Sequence, residues 1–135
     1  VDVLLSMAIF RLSSASAAST YLNDASTAFA LSRERSGAPI TEPEEPPIVG
    51  DESVWYLNVF SDAYQAMVYV RVGNIVARII WQQNLETPEP ASPERLVNAE
   101  EELLPGAQYT AEQQVLCLEN GGCPGVTRLS SRLLP

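Results

Sequence analysis

The chain contains no histidine and no lysine, and its eight basic residues are all arginine. Without an imidazole, it has no Ser-His-Asp or Cys-His catalytic system of its own. Without lysine, it has neither a Schiff-base amine nor the lysine of a phosphate-binding loop. These absences exclude two large classes of enzyme mechanism within this chain, and we expect a non-enzymatic protein with no catalytic residues.

Positive charge is scarce as well. The chain has eight arginines and 17 acidic residues, which gives a formal net charge of -9 and a pI of about 4.3. Such a field repels phosphate backbones and anionic membrane surfaces, so nucleic acid is not an expected partner. The longest apolar run, residues 66–81, is interrupted by Arg71 and Arg78. It is shorter than the roughly 20 residues that a membrane helix needs, so the sequence predicts no transmembrane span.

Cysteine is limited to Cys117 and Cys123, which flank a Gly-Gly pair in CLENGGC. Structural zinc takes about four Cys or His ligands, and a redox pair more typically reads C-x-x-C. We therefore expect no metal and no other cofactor. A disulfide between the two cysteines is the leading interpretation, and two buried free thiols are the alternative. A disulfide would indicate an oxidising, extracytoplasmic compartment.

The run 66–81 predicts a β-hairpin, because two β-rich segments meet at Gly73-Asn74, residue types that accept positive φ in a two-residue turn. Placing Val72 opposite Ile75 fixes the register of both strands. One face of the hairpin then carries only apolar side chains, because side chains alternate between the two faces of a strand. That apolar face is predicted to be the core.

The other face of the hairpin supplies the candidate binding site. It places Tyr69 directly opposite Arg78, with Arg71 diagonal to that pair. Two guanidinium groups beside a phenol would hold a carboxylate or another small anion. Tyr69, Arg71 and Arg78 are therefore the candidate ligand-binding residues. The alternative is that the arginines pair with the chain's own acids, which cluster at 42–52 and 86–102.

We expect residues 1–135 to form a single α+β domain with the element order β-α-β-β-β-α-α. The sheet is predicted to be mainly antiparallel with about four strands and with the helices packed on one face, the first helix covering the apolar face of the hairpin. Residues 36–50 and 84–93 are rich in proline and glutamate and are expected to be linkers. Residues 107–135 are expected to hold a C-terminal helix and a tail. The predicted strands are 3–10, 52–60 and the two arms of the hairpin; the predicted helices are 14–33, 92–104 and 111–120, the second stopped by Pro105-Gly106.

The run VGDESVWYLNVF followed by MVYVRVGNIVARIIW resembles a pattern of extracytoplasmic sensor-type domains and lipoproteins of high-GC Gram-positive bacteria. The matching residues are Gly50, Asp51, Arg71, Gly73 and Asn74, and an Ala-rich helix lies upstream in both. The resemblance implies an α+β sandwich of the general kind seen in photosystem-associated extrinsic proteins, exported and anchored or docked at a membrane. The proline-rich linkers and the CLENGGC segment depart from that pattern.

The sequence therefore predicts a non-enzymatic extracytoplasmic binding or accessory domain, either a sensor-like module or a subunit that docks to a membrane-associated assembly. Its expected partner is a protein or a small anionic ligand. Because the chain begins at Val1 without an initiator methionine, we expect a processed product. A lost N-terminal segment would be the route to peripheral or lipid-anchored association with a membrane. The alternative function is a carboxylate-dependent hydrolase whose acids are gathered only by the fold.

Overall fold

One sheet with a helix on each face forms the fold, in a computed structural model that describes residues 3–121 and the backbone of residues 130–133. The predicted α+β class is confirmed. Within these ranges the elements are β1 (Val3–Arg11), α1 (Ala15–Ser36), β2 (Ile40–Thr41), β3 (Glu52–Val59), β4 (Ala63–Val72), β5 (Ile75–Asn84), α2 (Leu96–Glu119) and β6 (Ser130–Leu133).

The strand order across the sheet is β2-β3-β4-β5-β1-β6. Strands β1 to β5 pair antiparallel, and β6 pairs parallel with β1. The four long strands that the sequence predicted are present, and the two short strands β2 and β6 extend the sheet. The predicted hairpin register is confirmed, since Val72 lies opposite Ile75 and Tyr69 opposite Arg78.

The two helices cover opposite faces of the sheet, so the prediction that they share one face is wrong. Helix α2 covers the apolar face of the hairpin, where Leu103 packs among the side chains of Val68 and Ile79. Helix α1 covers the other face, where Leu22 packs near Met67 and Tyr69. The physical reason is that residues 63–70 of β4 are buried on both faces. Both faces therefore need a cover that excludes water.

Helix α2 is continuous through Pro105-Gly106, where the sequence predicted a break between two helices. Pro105 lies on the exposed side of the helix, where the carbonyl that its missing N–H leaves unpaired is accessible to water. Gly106 lies against the indole of Trp81, and the hydroxyl of Thr110 donates to the Gly106 carbonyl at 2.9 Å. The predicted third helix is therefore the second half of α2. Its predicted end is confirmed at Gly121, whose φ is 86°.

Helix α1 begins where the sequence predicted, with Ser14 as N-cap accepting a hydrogen bond from the backbone N–H of Ala17. It ends three residues later than predicted, at Ser36, because Gly37 adopts the left-handed conformation (φ 80°) that closes the helix. The predicted linker 36–50 contains β2 and buries Pro43 and Val49. This linker is therefore partly packed onto the domain.

Candidate functional site

The three candidate residues Tyr69, Arg71 and Arg78 share the face of the sheet that α1 covers. Tyr69 is buried under α1, with 4% of its surface exposed. Arg71 lies two residues before the turn of the hairpin at Gly73, and Arg78 is half-buried opposite Tyr69. The three residues are neighbours, as predicted, but they do not form one accessible platform.

Arg71 is held by acids of its own chain. Its Nε donates to Glu52 Oε1 at 2.6 Å, and its Nη1 lies 3.5 Å from Asp51 Oδ2. Nη1 also donates to the carbonyl of Gly73 at 3.0 Å, and the Gly73 N–H donates to Asp51 Oδ2 at 2.7 Å. We call Asp51, Glu52, Arg71 and Gly73 the hairpin clasp. The clasp matches the alternative that the sequence left open, in which an arginine pairs internally.

Two further residues of the quoted sequence pattern serve the same end of the hairpin. Gly50 has φ 67°, and a Cβ there would lie 2.7 Å from the Arg71 carbonyl oxygen, so only glycine fits without a shift. Asn74 donates through Nδ2 to the carbonyl of Leu12 at 2.8 Å, which ties the turn to the end of β1. The pattern VGD…RVGN thus has a structural explanation in this chain.

The Glu52 carboxyl of the clasp is also affected by a side chain of α1. A hydrogen bond from the Ser19 side chain, followed by the hydrogen bond from Arg71, lowers the pKa of Glu52 below its ordinary value. Ser19 belongs to the first half of α1, and Glu52 begins β3. Side chains of α1 and of the hairpin therefore both favour the ionised form of Glu52.

Arg78 is different, because it takes part in no ion pair among the described residues. Its Nε is buried without a hydrogen-bond partner in the structure. The guanidinium of Arg78 lies beside the buried Tyr69. Within the part of the chain that the structure describes, the site therefore offers one unpaired cation, where the sequence predicted two. Of the two candidate arginines, Arg78 is the one without an acidic partner among the described residues.

A surface cavity of about 410 Å³ gathers acids that are distant in the sequence. Glu42 and Glu44 follow β2, and Glu100 projects from the first part of α2. The backbone N–H of Glu44 donates to Glu100 Oε1 at 3.2 Å. Within the described residues, no group of three or more acidic or cysteine side chains is arranged to hold a metal ion.

The first half of β1 is the feature that the sequence reasoning missed. Val3, Leu4 and Leu5 are 46%, 55% and 48% exposed, although they belong to a long strand. On the outer edge of β1, β6 pairs only with residues 8–11, and no other described strand pairs with that edge. We call Val3–Ser6 the open β1 segment. The signal in the sequence is the apolar run at residues 3–5, which lies within the predicted strand 3–10.

A second missed feature is a ladder of side-chain amides across three strands on the α1 face. Asn58 donates to Gln65 Oε1 at 2.8 Å, Gln65 donates to Gln82 Oε1 at 3.1 Å, and Gln82 donates to Asn84 Oδ1 at 3.1 Å. Arg33 of α1 adds a 3.4 Å hydrogen bond to Gln65 Oε1. The ladder gives hydrogen-bond partners to most of these buried amide groups, although Asn58 Oδ1 has none in the structure, and this indicates a structural role.

The candidate disulfide falls partly outside the described residues. Cys117 lies near the end of α2 and is disulfide-bonded. Cys123 lies outside the described residues, so its pairing with Cys117 stays a prediction. Neither described helix is long and apolar enough to cross a membrane.

The chain matches no family model, and comparisons with curated proteins and with solved structures gave no match.

Proposed function

We propose that the chain is a non-enzymatic extracytoplasmic domain that binds a partner protein through the open β1 segment, as a sensor-like module or as an accessory subunit of a membrane-associated assembly. The observation that carries the proposal is the exposure of three successive large apolar residues, Val3, Leu4 and Leu5. Removing apolar surface from water is favourable by about 25 cal/mol per Å². Contiguous exposed apolar surface is a common mark of interaction sites.

The extracytoplasmic part of the proposal is supported by the disulfide of Cys117. Disulfides persist in oxidising compartments and are reduced in most cytosols. Alkylation of freshly isolated protein without a reductant tests this part, because a thiol alkylator adds mass only to free cysteines. We expect no added mass at Cys117 or Cys123. The addition of two alkyl groups would contradict the extracytoplasmic assignment.

Site-specific photo-crosslinking in intact cells that make the protein tests the binding role. Leu4 is replaced by the photoreactive residue benzoylphenylalanine, and Leu31 of α1, 44% exposed, is the matched control position. We expect one adduct of discrete mass from position 4, and its loss when Leu5→Asp is added. No adduct from position 4, or the same adducts from position 31, would contradict the proposal.

The second candidate function is a carboxylate-dependent hydrolase, which the cavity of Glu42, Glu44 and Glu100 favours. Glycoside hydrolysis requires two carboxyl groups about 5 to 10 Å apart on either side of the bond. A panel of chromogenic glycosides, assayed with the natural protein and with Glu44→Gln and Glu100→Gln, tests this candidate. Turnover that both variants lose would establish the hydrolase and contradict the non-enzymatic proposal.

A further inference from the structure

The outer edge of the open β1 segment and the acidic residues beside it indicate what kind of partner would bind there. We infer that this segment accepts an extended strand of a partner protein in which apolar residues alternate along the strand and lysine or arginine lies at one end. The inference rests on the proposed function and adds the binding mode and the partner's composition. A strand added to an exposed edge is a known mode of peptide recognition.

The backbone of the open segment sets the length of the partner strand. Since β6 pairs at Ala8–Arg11, the outer edge of Val3–Ser6 belongs to the part of β1, residues 3–7, with which no described strand pairs. Four residues of strand extend about 13 Å at about 3.3 Å per residue. An edge strand presents unpaired N–H and C=O groups from alternate residues. A partner strand of four to six residues would satisfy them.

The side chains of the segment favour apolar residues on both faces of the added strand. Val3 and Leu5 lie on the α2 face, where Leu5 is opposite Trp81 of β5. Leu4 lies on the α1 face, opposite Gln82. Cross-strand neighbours on one face lie about 5 Å apart, so each incoming side chain would contact one of these residues. A strand with apolar residues opposite Val3 and Leu5 would bury the larger of the two patches.

The charge next to the segment favours a basic partner. Val3 lies opposite Gln83, whose Nε2 donates to Glu102 Oε2 at 3.1 Å. Glu101 and Glu102 are exposed on α2, and Glu86 is exposed two residues after β5. None of these three carboxylates takes part in an ion pair among the described residues. The acidic end of the edge would therefore attract lysine or arginine.

The same charge disfavours a second copy of this chain as the occupant. Antiparallel pairing of two open segments would bring the acidic surroundings of both copies together, each on a chain of net charge -9. Like charges placed together oppose association. Self-association through this edge is therefore a distinct outcome of the test.

Selection from a displayed library of random heptapeptides on the immobilised full chain tests the inference. Enriched peptides should alternate apolar residues and carry lysine or arginine at one end. A synthetic copy should bind with an affinity that falls as salt increases, since exposed charges are screened. Its binding should shift the backbone amide NMR signals of residues 3–6.

Three variants sharpen the test. The double change Glu101→Gln with Glu102→Gln should weaken the selected peptide by about fivefold or more at low salt. Glu112→Gln, which removes an exposed charge elsewhere on α2, should leave its affinity unchanged. Leu5→Lys should weaken binding more than Leu5→Glu, since both remove the same apolar side chain but only lysine repels a basic strand.

Several results would overturn the inference. These are the absence of enrichment over a Leu4→Asp control surface, enrichment of acidic peptides, and sedimentation that shows a dimer abolished by Leu4→Asp. A discrete crosslink from position 4 together with any of these results would leave the proposed partner binding standing and remove only the strand chemistry. The absence of any crosslink from position 4 in the otherwise natural chain would instead contradict the proposed function.

Discussion

Arg71 Nε lies 2.6 Å from Glu52 Oε1, with the two residues directly opposite each other on β4 and β3. The Arg71 side chain is 16% exposed and that of Glu52 is 32% exposed. A short hydrogen bond between two ionised groups is among the stronger polar contacts in a protein. Arg71, which the sequence predicted to be an anion ligand, is thus already paired with the carboxylate of Glu52. Its main role is to hold the hairpin to β3.

Breaking this pair should destabilise the fold. We expect Arg71→Ala to lower the free energy of unfolding by about 1 to 3 kcal/mol, because the change removes a charge-assisted hydrogen bond. Urea denaturation of Arg71→Ala, Glu52→Gln and the double variant measures the coupling between the two residues. A coupling energy of about 1 kcal/mol is expected for a partly buried pair. Additive effects would show that the pair contributes nothing.

The candidate anion site could be predicted only in part, because it depends on the registers of two pairs of strands and the sequence predicts only one of them. The opposition of Tyr69 and Arg78 follows from the turn at Gly73 and the alternation of the strand, and both are local. The opposition of Glu52 and Arg71 depends on the register of β3 against β4, which is set at the short turn of residues 60–62, where the sequence analysis predicted no register. Local patterns leave that register open, so internal pairing was one of two alternatives.

The face of the sheet that each helix covers could not be predicted from the sequence, for a related reason. Met67 and Tyr69 are largely hydrophobic side chains and are buried as Val68 and Val70 are, so this part of β4 lacks the alternation that marks a covered and an exposed face. The apolar sides of α1 and α2 are both suited to packing on a sheet. Neither of them indicates which face of the sheet its helix covers. Proline generally prefers helix ends, so the sequence predicted a break at Pro105. Helix α2 nevertheless continues through Pro105, because Gly106 packs on Trp81.

The stability should depend on pH through Glu52. Its pKa is lowered in the folded state from an ordinary value of 4.5, first by the hydrogen bond from Ser19 and then by that from Arg71. A lowered folded-state pKa contributes stability that is present above the unfolded-state value and is lost as the pH falls through the folded-state value. The stability difference between the natural protein and Glu52→Gln should therefore be largest above pH 4.5 and shrink below it.

Carboxyl NMR titration of Glu52 measures the shift directly. Ser19→Ala should move the folded-state pKa of Glu52 upward, because it removes the largest cause of the lowering. Ser16→Ala, at an exposed position of the same helix, is the matched control and should leave the titration unchanged. A Glu52 signal that titrates at its ordinary value in the natural protein would contradict the assignment.

Gly106 is a sharper test of packing, because helix propensity and contact predict opposite signs. Alanine is favoured over glycine by about 1 kcal/mol in a helix interior. A Cβ at position 106 would, however, lie 2.8 Å from Cζ2 of the rigid Trp81 ring. We expect Gly106→Ala to destabilise the protein by about 1 to 2 kcal/mol, as overpacking does. Thermal unfolding measures the sign, and a stabilised Gly106→Ala would show that the indole moves away freely.

A companion variant separates the clash from other effects of the substitution. Trp81→Leu alone should destabilise the protein, because the smaller side chain leaves α2 less well packed. Added to Trp81→Leu, the change Gly106→Ala should be neutral or stabilising, because the ring that it meets is gone. Equal effects of Gly106→Ala with and without Trp81 would contradict the contact.

Arg95 should hold the proline-rich segment that follows β5. Its Nη1 donates to the carbonyls of Glu89 and Pro90 at 3.0 and 2.9 Å, and its guanidinium carbon lies 5.2 Å from the centroid of the Tyr64 ring. The residue is buried, so Arg95→Leu would leave two carbonyls without their donor. We expect a loss of about 2 to 3 kcal/mol, the range for a hydrogen bond to a charged group or for the desolvation of unpaired groups.

Limited proteolysis and hydrogen exchange localise the effect of Arg95→Leu. Cleavage and exchange at residues 86–92 should increase more than at the hairpin, because the clasp of Asp51, Glu52, Arg71 and Gly73 lies at the other end of β4 and β5 from this segment. Arg95→Lys should not restore protection, since one ammonium group does not reproduce the forked donors of a guanidinium. Unchanged protection of 86–92 in Arg95→Leu would mean that packing elsewhere holds the segment. Protection lost equally in the hairpin would mean that the variant unfolds as a whole, and the stability measurement distinguishes that case.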